Sequence, residues 1–469
     1  MKLTPPLAPE GRKMGILARV LTGLGLGTAA LFLFAFAGLL YLVNTQMHVT
    51  PVELYHQTWE DVRDNAYDPK TLKDWDQWEH KYDAQIKTDE DAIKYANEMI
   101  ESTGDHYAGL LPPVAVSEEH ERAAGHFAGI GVEIGAQLDG DDKPIFGANK
   151  DDGPLAKTDS AGNPEVVRVI PNGPSDKAGL KSGDHIVTVD GLSMRNATMK
   201  ALVEKLRGKP GETVSIDIVR DGQSLNIKVM RGEVKTESVT HKVLTAANGQ
   251  KIGYIRLEDF SNEQSPQDMV DAVNALNTKK VIIDLRFNPG GEVQVCMQMV
   301  PIFLKEGKMV SMREHRDGKY DTTTFSVDKD NIYLIRTMES DGKSKTAKLD
   351  RLPAVGADKD IVILVNGHSA SAAEMFTGAL KDNNRAVVVG ERTFGKGIGQ
   401  SVIPMPNGTS LHITSLRYYT PNGKWLGDGG NSNESYGIEP DHEVKLNGKP
   451  KLGGPKDNQL SFALDLLSK

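Results

Sequence analysis

Cysteine is all but missing from this chain, and positive charge is in deficit. Cys296 is the sole cysteine, so no intramolecular disulfide can form. Lys and Arg total 55 against 64 Asp and Glu, a formal net charge of −9, which argues against a general nucleic-acid binder. No repeat of solenoid type is visible. Long apolar runs are scarce as well: Val20–Val43 is free of charged residues, and no second run of that kind follows. What is present suits folding. The chain has 469 residues, 39% hydrophobic and 25% charged, enough for two or three domains.

The apolar run sets an expectation about location. As a helix it would rise about 36 Å, sufficient to span a bilayer with some tilt. Lys2, Arg12, Lys13 and Arg19 precede it and favour a cytoplasmic N-terminus. A cleaved signal peptide is the alternative, with Ala35-Phe-Ala37 as the cleavage match, but cutting there would leave an apolar new terminus. The expectation is a basic tail over 1–19 and one transmembrane helix over 20–43. The body from residue 45 onward then lies beyond a bacterial inner membrane, on the periplasmic side.

Along the chain, residues 45–115 read as a helical module. Tyr55, Trp59, Val62 and Ala66 share one helical face, and Thr88 can cap a second helix carrying Ala92, Tyr95, Ala96 and Met99. Residues 116–234 read as a small β-rich module, with apolar residues threaded through glycines in Phe127–Gly135 and short strands punctuated by glycine turns. Residues 235–445 read as an α/β body. Within it, 314–358 is polar and lysine-rich and reads as a long surface excursion with one strand near Ile332–Arg336. Residues 446–469 end in an amphipathic helix through Leu460, Ala463, Leu464 and Leu467.

The body holds two corners where a strand turns sharply into a helix. In the first, Lys280–Arg286 is a strand, and Asn288-Pro-Gly-Gly291 turns it into an apolar segment, Val293–Leu304. In the second, Asp360–Asn366 is a buried strand, broken by Gly367-His-Ser-Ala370 ahead of the helical run Ser371–Leu380. A serine at such a helix start has spare backbone N–H groups beside it, so it can be a nucleophile next to an oxyanion site. Two adjacent glycines make Gly290 or Gly291 a candidate second donor. Ser371 has a plainer explanation, since Ser371-Ala-Ala-Glu374 is a capping box. Lys396 follows another strand, in Gly390-Glu-Arg-Thr-Phe-Gly395-Lys396. That is the opening of a phosphate-binding loop, but Gly397 stands where Ser or Thr would bind Mg²⁺, and a strand pattern follows in place of a helix. Ser369 is a second candidate nucleophile. His368 is a poor base for a serine so near in sequence, and no carboxylate orienter is evident.

Taken together, these blocks resemble two known families. The V-x-x-V-x-x-x-G-P-x-x-x-A-G-L-x-x-G-D-x-I-x-x-V-D-G pattern from Val166 to Gly191 resembles a PDZ domain in the circularly permuted bacterial arrangement. In that family a loop of the kind Gly129-Ile130-Gly131-Val132 captures a peptide's C-terminal carboxylate, which suits converging backbone N–H groups and strand addition. Val365–Glu374, Arg385–Gly390, Thr393-Phe-Gly-Lys-Gly397 with Gln400, Asp284–Gly291, Tyr419–Lys424 and Gly437–Asp441 resemble the C-terminal processing peptidases, also called tail-specific proteases. The resemblance covers about 100–445. It implies a crotonase- or Clp-protease-like α/β body with an inserted PDZ domain. It implies Ser371 as nucleophile, Lys396 as base and Gln400 as third polar member, with oxyanion donors from Ala372 and one glycine of the turn. Two positions depart from the pattern: His368 where glycine is usual, and Phe287 where a polar residue is common.

A lysine base carries a condition. Freeing its amine at pH 7 from an ordinary pKa of about 10.4 costs roughly 4.6 kcal/mol, so burial must lower that pKa. Phe394 and Ile398 are suited to a dry pocket. The expected function is a membrane-anchored, extracytoplasmic serine endopeptidase that selects proteins by their C-terminal tails, gated by the PDZ domain. The competing expectation is a catalytically silent PDZ scaffold binding protein C-termini. No metal or nucleotide cofactor and no nucleic acid is implied; a homo-oligomer or an adaptor protein is left open.

Overall fold

A computed structural model describes residues 48–137, 145, 154–235, 237–316, 319–430, 436–448 and 450–469. The chain divides into two compact units, 117–238 with 261–265, and the rest.

In the larger unit a six-stranded sheet runs Val239–Thr245, Lys251–Leu257, Lys280–Asp284, Asp360–Val365, Ala386–Gly390, His442–Glu443, in that order. The first pairing is antiparallel and the others are parallel. The β-branched runs suit strands buried on both faces. Ile283, Ile363 and Val365 face a core shared with helices Ser265–Leu276, Val293–Phe303 and Ala372–Asp382. Ile282, Val362 and Leu364 face the opposite way, onto Leu460, Ala463 and Leu467 of the terminal helix Asn458–Ser468.

A second sheet is antiparallel, in the order Gly109–Leu111, Ser410–Tyr419, Gly307–Arg316, Lys319–Val327, Asn331–Thr337, Ser344–Asp350. Ile398–Pro404 also pairs with Ser410–Tyr419. Most of 314–358, read as an excursion, is therefore ladder. Its partly buried strands, such as Lys319–Val327, need little apolar sequence, so their composition hid them. Helices Pro51–Asn65 and Asp89–Glu101 begin at capping boxes from Thr50 and Thr88. Tyr55, Trp59, Val62, Ala92, Ala96 and Met99 bury against Leu411 and Ile413 of this sheet.

The smaller unit has the four-stranded sheet Leu192–Ser193, His185–Val189, Thr213–Arg220, Gln223–Met230 and two further strand pairs, with helices Pro174–Ala178 and Met199–Leu206. Ile186, Val189, Leu202, Val214, Ile216 and Val229 form its core.

The expected membrane span is corrected. Among the described residues no helix is long and apolar enough to cross a membrane, and the segment 20–43 that suggested one lies outside the described residues, as does the tail 1–19. The anchored form of the activity, the membrane as partner and the inner-membrane location lose their support with it.

Candidate active site

Both corners lie at the carboxyl ends of neighbouring parallel strands, Lys280–Asp284 and Asp360–Val365, where open α/β sheets place ligands. They are stitched together. Ser369 Oγ donates to the Leu285 carbonyl at 2.8 Å, so Ser369 is buried and occupied. The Phe287 N–H donates to Asn366 Oδ1 at 3.0 Å, and the Ala370 N–H to the Asn288 carbonyl at 3.0 Å. Asn288, fully buried, is itself held by its Nδ2 donating to the Leu257 carbonyl at 3.0 Å.

Ser371 precedes helix Ala372–Asp382 with φ 54° and ψ −116°, a conformation that favours glycine. It stands in a capping-box relation with Glu374, carried by its own N–H donating to Glu374 Oε2 at 2.9 Å; the hydroxyl makes no side-chain cap hydrogen bond. Ala372 opens the helix, so its N–H has no acceptor within it. Below the turn, Tyr418 Oη donates to the Ser371 carbonyl at 3.2 Å and Cys296 Sγ to the Ala372 carbonyl at 3.3 Å. Burial pushes the Cys296 thiol up, which keeps it protonated and able to donate.

The glycine turn meets this corner directly. A Cβ on Gly290 would lie 2.8 Å from Ser371 Cβ and 2.9 Å from the Ala372 nitrogen, so only glycine fits. The Gly290 N–H is occupied, donating to Asn288 Oδ1 at 2.9 Å. The Gly291 N–H has no partner among the described residues, and its backbone sits at φ 140°. Of the two glycine candidates, Gly291 has the available amide and Gly290 the close approach.

Glu374 reaches further than a cap. It is the only charged residue in the run Ala372–Leu380 and is fully buried. Its carboxylate accepts from Thr393 Oγ1 at 2.6 Å, the Gly395 N–H at 2.7 Å and the Lys396 N–H at 2.9 Å. Burial raises its pKa, and those donors together with Ser371 N–H oppose the rise.

Lys396 is half-buried, and desolvation lowers its pKa; Asp105 and Glu374 oppose that. Its Nζ lies 4.0 Å from the centroid of the Tyr107 ring, and no hydrogen bond among the described residues joins it to Ser371. Apo catalytic pairs are often loose in this way. The dry surface is only partly the expected one. Ile398 is buried, but Phe394 is 38% exposed, and Tyr107 supplies the aromatic cover. Gln400 does not hold the lysine. Its Nε2 donates to the Tyr107 carbonyl, and Tyr107 Oη donates to the Gly429 carbonyl at 2.8 Å, so Gln400 fixes the residue that covers Lys396. Nothing in the sequence points to Tyr107, which is remote from the body blocks. Glu374 had a signal, a lone carboxylate in an apolar run, but read as a cap only.

In the smaller unit, the Ile130 carbonyl accepts from the Ser175 N–H at 2.8 Å and the Gly131 carbonyl from the Ile170 N–H at 3.0 Å. Gly131 turns at φ 76°. Gly129, Ile130, Gly131 and Val132 line a cavity of about 140 Å³ with Phe127, Met199, Val203 and Leu206, a groove between a strand edge and a helix.

The family model described as peptidase family S41 matches residues 251–444, and the PDZ domain model matches 132–230. The chain is 28% identical over 429 residues to "Carboxyl-terminal-processing protease" of Picosynechococcus, covering 89% of each chain. It is 30% identical over 359 residues to "Probable CtpA-like serine protease" of Staphylococcus aureus, covering 76% of this chain and 60% of that one. A solved structure titled as a photosystem II D1 C-terminal processing protease matches at 23% identity and TM-score 0.47, covering 85% of this chain and 94% of that one. With both family models falling on the two described units, the chain belongs to the C-terminal processing proteases of peptidase family S41 and is a serine-type endopeptidase carrying a PDZ domain.

Proposed function

We propose that Ser371 is the nucleophile and Lys396, as the neutral amine, its base. The amide N–H groups of Ala372 and Gly291 then hold the oxyanion, and Gln400 positions the lysine through Tyr107. The supporting observation is that Ser371 and Lys396 hang from one buried carboxylate while Gly290 packs on Ser371 Cβ. Lys396 takes the serine proton, Ser371 attacks a peptide carbonyl, and the acyl-enzyme that forms is hydrolysed. Lys396 Nζ rests over the Tyr107 ring with no hydrogen bond to Ser371, so the lysine turns from that face toward the serine for this step. The loop Gly129–Val132 takes the carboxylate of a protein's C-terminal tail, the tail adds a strand beside it, and occupancy of that groove gates the catalytic corner.

The test is turnover of a protein substrate with a free apolar C-terminus. Ser371→Ala and Lys396→Ala each abolish cleavage and leave tail-peptide binding intact. Cleavage persisting in either variant overturns the dyad.

A further inference from the structure

An aromatic pair spans the seam between the two corners. The Phe287 and His368 rings stack with centroids 5.1 Å apart and planes 16° from parallel. Both backbone N–H groups donate to one oxygen, Asn366 Oδ1, at 3.0 and 3.2 Å. Asn366 is buried, whereas Phe287 is 46% exposed and His368 is exposed too. Phe287 has φ 62°, a backbone region that bulky residues avoid. A large apolar ring that is solvent-exposed and backbone-strained gains little for folding. Strain of this kind persists where the surroundings over-determine it, and it clusters at ligand sites.

The position says which ligand. Phe287 directly precedes Asn288, whose carbonyl takes the Ala370 N–H beside Ser371. It lies four residues ahead of Gly291, and His368 three ahead of Ser371. The stacked rings therefore stand at the carboxyl ends of the same two strands as the nucleophile. We propose that Phe287 and His368 form a wall for the substrate side chain next to the scissile bond, and that the wall selects a leucine-sized apolar side chain over a small polar one. The proposal rests on Ser371 as nucleophile. An extended substrate seated on the two oxyanion amides has its flanking side chains within a few ångströms of the corner, and an apolar pocket discriminates one or two methylenes by about 10–200-fold.

The test uses the full chain and fluorogenic peptides with a common free apolar C-terminus, paired so that the residue on either side of the cleaved bond is Leu or Ser. Phe287→Asn tolerates the positive φ but removes the ring; Phe287→Trp keeps a flat ring; His368→Ala removes the partner. The expected result is a Leu-over-Ser ratio in kcat/KM that falls about 10-fold in Phe287→Asn and His368→Ala and holds in Phe287→Trp. An unchanged ratio in both ring-removing variants, or an equal loss in Asn and Trp variants, overturns the wall. Ser371→Ala run alongside separates the two claims: if it still cleaves, the nucleophile reading has failed and the wall loses its basis.

Discussion

Ser371 and Lys396, 25 residues apart in sequence, donate their backbone N–H groups to the same oxygen, Glu374 Oε2, each at 2.9 Å. The proposed nucleophile and base are thus fixed relative to each other through the main chain, independently of how their side chains meet. Glu374→Gln tests this link. An amide cannot accept from four donors, so stability falls by about 1–3 kcal/mol, read as a lower Tm. The substitution also removes a charge that holds the Lys396 pKa up, so the acid limb of activity moves to lower pH. A limb that moves up in pH contradicts the electrostatic part of the account.

The lowered lysine pKa has a stability signature. Burial keeps Lys396 below its ordinary value of 10.5, so between those two values the unfolded chain holds more protons than the folded one. Stability attributable to this group therefore rises with pH across that window. Lys396→Met removes the buried ammonium and abolishes activity. Its Tm exceeds that of the parent at neutral pH, and the advantage fades as pH climbs toward 10.5. Thermal melts of both proteins across pH 7 to 10 check the sign.

Tyr107 acts on the lysine through its ring face. A cation over a tyrosine is favoured by about 0.5–2 kcal/mol, equivalent to roughly 0.4–1.5 pH units. Tyr107→Leu keeps the cover but loses the face, so the activity midpoint shifts to lower pH by about that amount. Tyr107→Phe keeps the face and loses the bond to Gly429; its midpoint holds and its stability drops by about 1 kcal/mol. Identical pH profiles for Leu and Phe contradict the role.

The strained turn at Ser371 separates stability from activity. Its φ of 54° and ψ of −116° suit glycine, and a non-glycine residue there costs about 1–3 kcal/mol. Ser371→Gly and Ser371→Ala are both inactive, and the glycine variant melts at the higher temperature. Equal melting temperatures, or a lower one for glycine, contradict a strained corner.

The body and its corners were legible because β-branched runs, glycine pairs and helix starts are local signals. Lys280–Asp284 and Asp360–Val365 declared themselves as buried strands, and Asn288–Gly291 as a turn that admits only glycine. Most of the ladder between Gly307 and Asp350 was hidden, because strands with partly exposed faces carry polar residues that read as loop; only Asn331–Thr337 was expected, from the apolar run near Ile332–Arg336. The cover over Lys396 could not be read at all. Tyr107 is brought to the lysine by the pairing of Gly109–Leu111 with Ser410–Tyr419, the bond from Gln400 and its own bond to Gly429, all set by tertiary structure. The bond from Gln400 to Tyr107, in place of the expected one to Lys396, is hidden for the same reason.

A Ser371 nucleophile activated by Lys396 reacts with an electrophile that traps active serines. Covalent labelling of the intact protein with a fluorophosphonate, mapped by peptide mass spectrometry, tests it most directly. One adduct is expected, on Ser371, absent in Ser371→Ala and formed at least 100-fold more slowly in Lys396→Ala, within the range that general-base catalysis contributes. An adduct on Ser369, or Lys396→Ala labelling at the parent rate, contradicts it.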